Sequence, residues 1–390
     1  MRRAARLGVG VLIVAALVLV AWSVAIGPVS VWRVLTHGTT TIWDHLEYPG
    51  RDLSASPDPQ LWPEVSTPLV PPEVEVGGQP VTLSTLLPER DTLAFLVTRG
   101  GEIGYEWYAP DHLPDQATMV FSVTKSIFSL LVGAALDDGL LSSVDDPVTS
   151  YLPETADRGF EAVTLEDLLR MDSNLDYVEG DNPFGIHVEF NYTPDLAAAI
   201  TDLGVRSQPD EVFRYKSGDN ALLGLILDRA LGQETITGYF ERRLWHPLGA
   251  EAPGRWSVDR EGGLERTWCC LALTARDLAR FGQLVLDDGR FQGEQLLSSG
   301  WLEQSFQPGF EDQRWPPDYA ESPLLNYGYH WWLTAEARVA LGKGGQYLYI
   351  DPARQVVVVR LGETAGDLGW IDVLRQVAHA TDNPAAESSG

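Results

Sequence analysis

Segments that read as β-strands lie at both ends of this chain's main body, and helix-forming segments fill the stretch between them. Thr92–Arg99 and Ile103–Tyr108 are rich in β-branched and aromatic residues and meet at Gly100-Gly101, a hairpin signal. Near the far end, Tyr327–Thr334, Gln346–Asp351 and Gln355–Leu361 predict strands, with Asp351-Pro352 as the turn between the last two. Between these groups, helices are predicted from about Phe121 to Gly139 and over Leu165–Met171, Leu196–Leu203, Asn220–Leu231 and Ile236–Leu244. Thr274 reads as an N-cap with Asp277 in the capping-box position, opening a helix to about Asp287. A last helix spans roughly Trp370 to Ala380. Early and late strands then share one antiparallel sheet flanked by helices, and the middle becomes an inserted all-helical lobe at approximately residues 140–265. The class is α+β, and the cleft between sheet and lobe is the natural ligand site.

The chain has 390 residues, 44% of them hydrophobic, enough to bury a large core. The main body is expected at 81–383, with 384–390 a flexible tail. Ahead of it, Arg2, Arg3 and Arg6 precede an apolar run from Leu7 to Gly27. About 21 helical residues span roughly 31 Å, the thickness of a bilayer core. This predicts a single-pass transmembrane anchor at 7–27, with residues 1–6 cytoplasmic and the rest outside. A cleaved secretory signal peptide is the alternative, though no A-x-A site closes the run. Residues 28–80 are rich in Pro, Ser and acids and predict an extended lead-in, lying on the domain or spacing it from the membrane. The net charge of −27 excludes nucleic acid as a partner. The adjacent Cys269 and Cys270 cannot staple distant parts of a fold, and a pair of small buried residues is expected in preference to a vicinal disulfide.

Of 28 basic side chains only three are lysine, Lys125, Lys216 and Lys343, and each falls in a short motif. Ser122-Val123-Thr124-Lys125 opens the predicted helix, and residues i and i+3 share a helix face. Apolar neighbours (Phe121, Val123, Ile127, Phe128) desolvate the Lys125 amine and free its lone pair. A neutral amine takes the proton of Ser122, which becomes the nucleophile. Tyr215-Lys216-Ser217 places a phenol for proton relay, its phenolate favoured by Lys125 and Lys343. Lys343-Gly344-Gly345-Gln346 opens a strand whose two glycines let a substrate backbone lie close. There the N–H of Gln346 pairs with that of Ser122 as an oxyanion hole. Lys343 binds a substrate carboxylate or tunes Tyr215. Each motif alone is a modest signal, and their order and shared lysines make the combination specific.

On these residues the chain resembles the serine β-lactamase and penicillin-binding-protein superfamily. Its class C-like branch, with 6-aminohexanoate-dimer hydrolases and family VIII-type esterases, is the nearest in pattern. The resemblance runs from about Leu93 to Leu361 and is densest around FSVTKSIFSLLVGAALDDG and FRYKSGDNALLGLIL. It implies a β-lactamase/transpeptidase-like fold, with Ser122 acylated, Lys125 as base and Tyr215 as relay. Two departures stand out. Ser217 replaces the family's Asn, losing an amide that both donates and accepts. Gly344 replaces a Thr, losing a hydroxyl. Both point away from a dedicated β-lactamase and toward a hydrolase of small amides or esters.

Other chemistries find no motif. The histidines show no metal spacing, no G-x-S-x-G elbow is present, and no Walker or dinucleotide loop appears. No cofactor or metal is expected. His187 and His330 read as structural or solvent-exposed. Tyr177, Asp181 and Trp331 are assigned to the cleft, with Tyr177, Ser217, Lys343, Gly344 and Gly345 as substrate contacts. The competing readings are a D,D-peptidase or β-lactamase-type protein and a weakly active cell-envelope sensor domain.

Overall fold

A computed structural model describes residues 2–38, 40–63, 65, 73–180, 182–209, 212–310, 323–366 and 368–382. Its centre is a seven-stranded antiparallel sheet assembled from both ends of the body, as the strand pattern demands. The early hairpin is β1 (Thr92–Arg99) and β2 (Glu102–Tyr108), turned by Gly100 and Gly101, both at positive φ. The late strands are β3 (Asn326–Tyr327), β4 (Trp332–Leu333), β5 (Arg338–Gly342), β6 (Gln346–Asp351) and β7 (Val356–Gly362). Their order is β3-β4-β5-β6-β7-β1-β2, and β7 pairs with β1 from Val356↔Arg99 to Gly362↔Thr92. Chain closure through this pair joins the two halves.

Three helices fix the sheet and the site. Helix α1 (Val123–Asp137) is buried on every side from Val123 to Ala135, so it runs through the core between sheet and lobe. Helix α2 (Ala275–Leu286) is capped by the Thr274 side chain on the Asp277 N–H and packs on β6 and β7. Helix α3 (Trp370–Ala380) covers the other face with Trp370, Leu374 and Val377. Gly282 of α2 lies where a Cβ would stand 2.6 Å from Val357 of β7, so helix and sheet approach closely there.

Two expectations change. Tyr327–Thr334 is not one strand: it splits into β3 and β4 around a tight turn in which His330 adopts φ 61° and the Gly328 N–H bonds the Trp331 carbonyl. The lead-in is not simply extended. It holds a helix at Pro28–His37, a strand at Gly50–Leu53 paired with Gly254–Ser257, and a hairpin of Glu73–Val76 with Gln79–Thr82. Its first part lies on the lobe: the Arg33 guanidinium donates to the carbonyls of Tyr192, Thr193 and Asp259.

The apolar N-terminal run forms a helix at Arg2–Ile26. No single helix among the described residues is long and apolar enough to cross a membrane. Val11–Val24 and Pro28–Thr36 qualify only as a pair, bent by 116°. The predicted tail 384–390 lies outside the described residues.

Candidate active site

Ser122 stands at the N-cap of α1, directly after Phe121, a non-glycine residue at φ 46°. Such backbone persists where the surroundings enforce it, often at working sites. Here β5 does so: Gly342 lies so near the chain that a Cβ there would run into the Val120 carbonyl. Among the described residues the Ser122 N–H donates to no backbone carbonyl, whereas those of Val123, Thr124 and Lys125 do.

One turn on, Lys125 is 1% exposed. Its Nζ lies 3.0 Å from Ser122 Oγ and 2.9 Å from the Trp268 carbonyl. Burial pulls the amine from 10.5 down to about 8, against the opposing pull of the Glu179 carboxylate. The Lys125 amine and the Ser122 hydroxyl, the candidate base and nucleophile, therefore sit together in a dry setting. Tyr215 joins them: Lys125 Nζ is 4.9 Å from its ring centroid, and the ring stacks on Trp332 of β4 at 5.7 Å. The expected phenolate does not form. Burial, then the Glu179 charge, push the Tyr215 hydroxyl up, and a hydrogen bond with Ser122 offsets this only in part. The phenol stays protonated at neutral pH.

The remaining lysines diverge. Lys343 is exposed and lines the cavity beside Ser122. Lys216 turns inward, bonding the Met171 carbonyl at 3.1 Å and Asp219 at 3.2 Å, so it braces α4 (Ser217–Leu231) rather than serving the site. The Lys343-Gly344-Gly345 turn joins β5 to β6, and its glycines face protein atoms. A Cβ at Gly345 would overlap Arg360 Nη1, and one at Gly344 would lie 3.0 Å from the Glu363 carbonyl. Arg360 is fully buried, stacks 3.9 Å over Trp370 and donates to Gly345, Thr92, Arg90 and Thr364. Room for this clamp is what the glycine at 345 supplies. Gln346 begins β6 opposite Gly342, with its side chain held by the Gly362 backbone at 2.6 and 3.1 Å.

The cavity at Ser122 has a volume of about 130 Å³. That is similar to the ~150 Å³ space known to hold benzene, so it suits one small group. The lobe supplies Glu179, His187, Asn191 and Ser217, and the segment after it supplies Arg266, Trp268, Cys269 and Cys270. Thr40 and Tyr48 of the lead-in complete the wall. Ser217 donates both its hydroxyl and its N–H to Glu179, at 2.7 and 2.8 Å, which fixes the carboxylate in the cavity.

Several assignments move. Tyr177 is not among the cavity-lining residues. It is 3% exposed and stands behind the wall, where it packs on Gly218 and meets His187 Nδ1 at 2.7 Å. His187, read as structural or solvent-exposed, lines the cavity instead, 3.5 Å from Glu179. Trp331 is fully buried against Phe306, away from the cleft. His330 is structural: burial takes it down to about 3, and its ring meets Asn220 and the Leu168 carbonyl. Asp181 lies outside the described residues. Cys269 and Cys270 are joined as a disulfide, contrary to the expected pair of small buried residues without a bond between them. Glu179, Arg266 and Arg360 carry no signal in the sequence that marks them for the site. His187 and Asn191 ride on a helix, Ile186–Tyr192, whose apolar residues alternate at 186, 188, 190 and 192 and so carry no helical signal.

A buried Ser-x-x-K pair in the cleft between an antiparallel sheet and a helical lobe is the arrangement of the β-lactamase class of serine hydrolases. Residues 85–373 match the family described as Beta-lactamase. The 6-aminohexanoate-dimer hydrolase of Paenarthrobacter ureafaciens is 30% identical over 296 residues, covering 72% of this chain and 74% of its own. A solved structure from Bacillus anthracis, provisionally described as a 6-aminohexanoate-dimer hydrolase, superposes with a TM-score of 0.70 at 21% identity, covering 87% of this chain and 92% of that one. A penicillin-binding-protein homologue from Caulobacter crescentus gives 0.58 at 19% identity, covering 74% and 93%. The chain belongs to the β-lactamase family, and it is a hydrolase homologous to 6-aminohexanoate-dimer hydrolase.

Proposed function

We propose that this protein is a serine amidase or esterase that passes the acyl part of a small amide or ester to Ser122 and then to water. The observation that carries the reading is the 3.0 Å contact between Ser122 Oγ and an amine whose burial leaves it partly neutral near pH 7. Lys125 takes the Ser122 proton as Oγ bonds to the substrate carbonyl carbon. The N–H groups of Ser122 and Gln346 hold the oxyanion. As the C–N or C–O bond breaks, the protonated Tyr215 hydroxyl gives its proton to the leaving group and recovers one from Lys125. A water molecule then attacks the acyl carbon and the steps reverse, freeing Ser122.

Ser217 supports amide or ester turnover over β-lactam hydrolysis, because its hydroxyl is spent on Glu179. The test is labelling with a fluorophosphonate, read by peptide mass spectrometry, beside hydrolysis of p-nitrophenyl butyrate. A label on Ser122 and loss of both signals in Ser122→Ala are expected. Undiminished ester hydrolysis by that variant would refute the reading.

We also propose that the N-terminal helix pair anchors the protein at a membrane, with the catalytic domain extracytoplasmic. Val11, Leu12, Ile13 and Val14 are exposed, as are Leu17, Val18, Leu19 and Val20, and Val29, Trp32 and Leu35 of the following helix are exposed as well. Apolar side chains in such a row, with Trp32 just past the bend, suit a lipid surface. Sedimentation of the full chain with membranes, lost on deleting residues 1–37, is the expected result. A full chain that stays in the supernatant would refute it.

A further inference from the structure

Cys269 and Cys270 are the chain's two cysteines, and their disulfide lies in the wall of the cavity at Ser122. In the chain-entropy account a disulfide stabilises a fold by closing a loop, more so the longer the loop, and a bond between neighbours closes almost none. Its effect is therefore local: it ties two side chains into a small ring through the peptide between them. That peptide sits among the contacts that place Lys125. The Trp268 carbonyl, just before the ring, accepts from Lys125 Nζ at 2.9 Å. Just after the ring, the Leu271 N–H donates to Thr124 Oγ1 at 3.3 Å, and the Leu271 carbonyl accepts from the Val120 N–H at 2.9 Å. Within the ring, Cys270 holds φ 73°, a backbone that a side chain disfavours and that persists where its surroundings enforce it.

We propose that Cys269–Cys270 is a thiol–disulfide switch on the Ser122 site, holding Lys125 in place when closed and slowing acyl transfer when a dithiol opens it. The switch rests on the hydrolase reading of the same cavity. One thiolate of the dithiol attacks a cysteine sulfur and the Cys269–Cys270 bond breaks, leaving a mixed disulfide and a cysteine thiolate that takes up a proton. The second thiol of the dithiol, on losing its proton, displaces the other cysteine. The dithiol leaves as a cyclic disulfide, and two electrons and two protons have passed to the protein. A disulfide oxidant takes them back by the reverse exchange. With two cysteines in the chain, no third thiol diverts either step. Both line the cavity and keep 8% and 4% of their exposure, which gives a small dithiol its approach. Once the ring opens, Cys270 relaxes toward negative φ and draws the Trp268 carbonyl away from the Lys125 amine.

The test treats the full chain in detergent with dithiothreitol and then with oxidised glutathione, counting iodoacetamide-alkylated cysteines by mass spectrometry. The rates of fluorophosphonate labelling at Ser122 and of p-nitrophenyl butyrate turnover are read at each stage, beside thermal melting. Reduction is expected to yield two alkylated cysteines and to slow both rates about 10- to 100-fold, the scale of a reacting group displaced by about 1 Å. Melting stays nearly unmoved, and reoxidation restores the rates. Cys270→Ser is expected to match the reduced rate and to ignore the dithiol. Cys270→Gly, which takes positive φ without a bond, is expected to run faster than Cys270→Ser. Unchanged rates in protein with two alkylated cysteines overturn the inference, as does a bond that the dithiol leaves closed in folded protein. A large fall in melting temperature on reduction, Cys270→Ser at the oxidised rate, or Cys270→Gly no faster than Cys270→Ser does the same. If Cys270→Ser does not fold, Cys269→Ser takes its place, and the oxidised rate in that variant is the overturning result. Failure of the hydrolase reading shows differently: the oxidised protein then gives neither label nor turnover, while alkylation still reports the opening of the ring.

Discussion

In the proposed mechanism the amine of Lys125 sets the pH at which the site works. A lysine with its ordinary value of 10.5 is neutral in only about 3 of 10,000 molecules at pH 7. At about 8, the value burial gives Lys125, the neutral fraction is roughly one in ten, a gain of about 300-fold. The rate with p-nitrophenyl butyrate under kcat/KM conditions is therefore expected to climb tenfold per pH unit below the inflection and level off above about 8. The sign is fixed by chemistry: the working form is the deprotonated one, so activity is lost as pH falls. Lys125→Arg keeps the positive charge but cannot surrender it, and a loss of about 10²- to 10⁴-fold is expected, the usual worth of a general base. The assay is a pH series from about 5.5 to 9.5, bracketing the inflection, with buffer hydrolysis subtracted and Ser122 labelling followed in parallel. A profile that is flat, or that falls on passing upward through the inflection, would show that no neutral amine is at work.

Three further outcomes follow from neighbouring contacts. Glu179→Gln removes the charge that holds the Lys125 proton on, so the inflection moves to lower pH by up to about one unit, read from the same profile. Gly342→Ala drives a methyl into the Val120 carbonyl two residues before Ser122; a stability loss of about 1–3 kcal/mol and weaker turnover are expected from thermal melting and ester assay. Arg360→Met leaves the oxygens of Gly345, Thr92, Arg90 and Thr364 without their donor, and a loss of at least about 2 kcal/mol is expected from urea unfolding.

The residues legible in the sequence signal through short spacing. Ser122 and Lys125 lie one helical turn apart, and burial of that helix is written in its unbroken apolar flanks. The β6–β7 hairpin and the capped helix Ala275–Leu286 are likewise local, made by Asp351-Pro352 and by Thr274 with Asp277. Glu179, Arg266 and Arg360 are not legible because their meaning comes from partners far along the chain. Glu179 is 38 residues from the Ser217 that orients it, and Arg360 is 268 from Thr92. Lys216 shows the converse: it falls in the Tyr215-Lys216-Ser217 motif, but the backbone aims it at Asp219. A single sequence shows neighbours along the chain and hides the pairing of surfaces.

Thr40 and Tyr48 form part of the cavity wall, although the family match begins only at residue 85. A shortened protein trimmed to that match would keep Ser122 and Lys125 yet present a breached pocket to solvent. Swapping in a leader from another relative would, by the same logic, redraw the range of molecules accepted without touching any group that makes or breaks a bond.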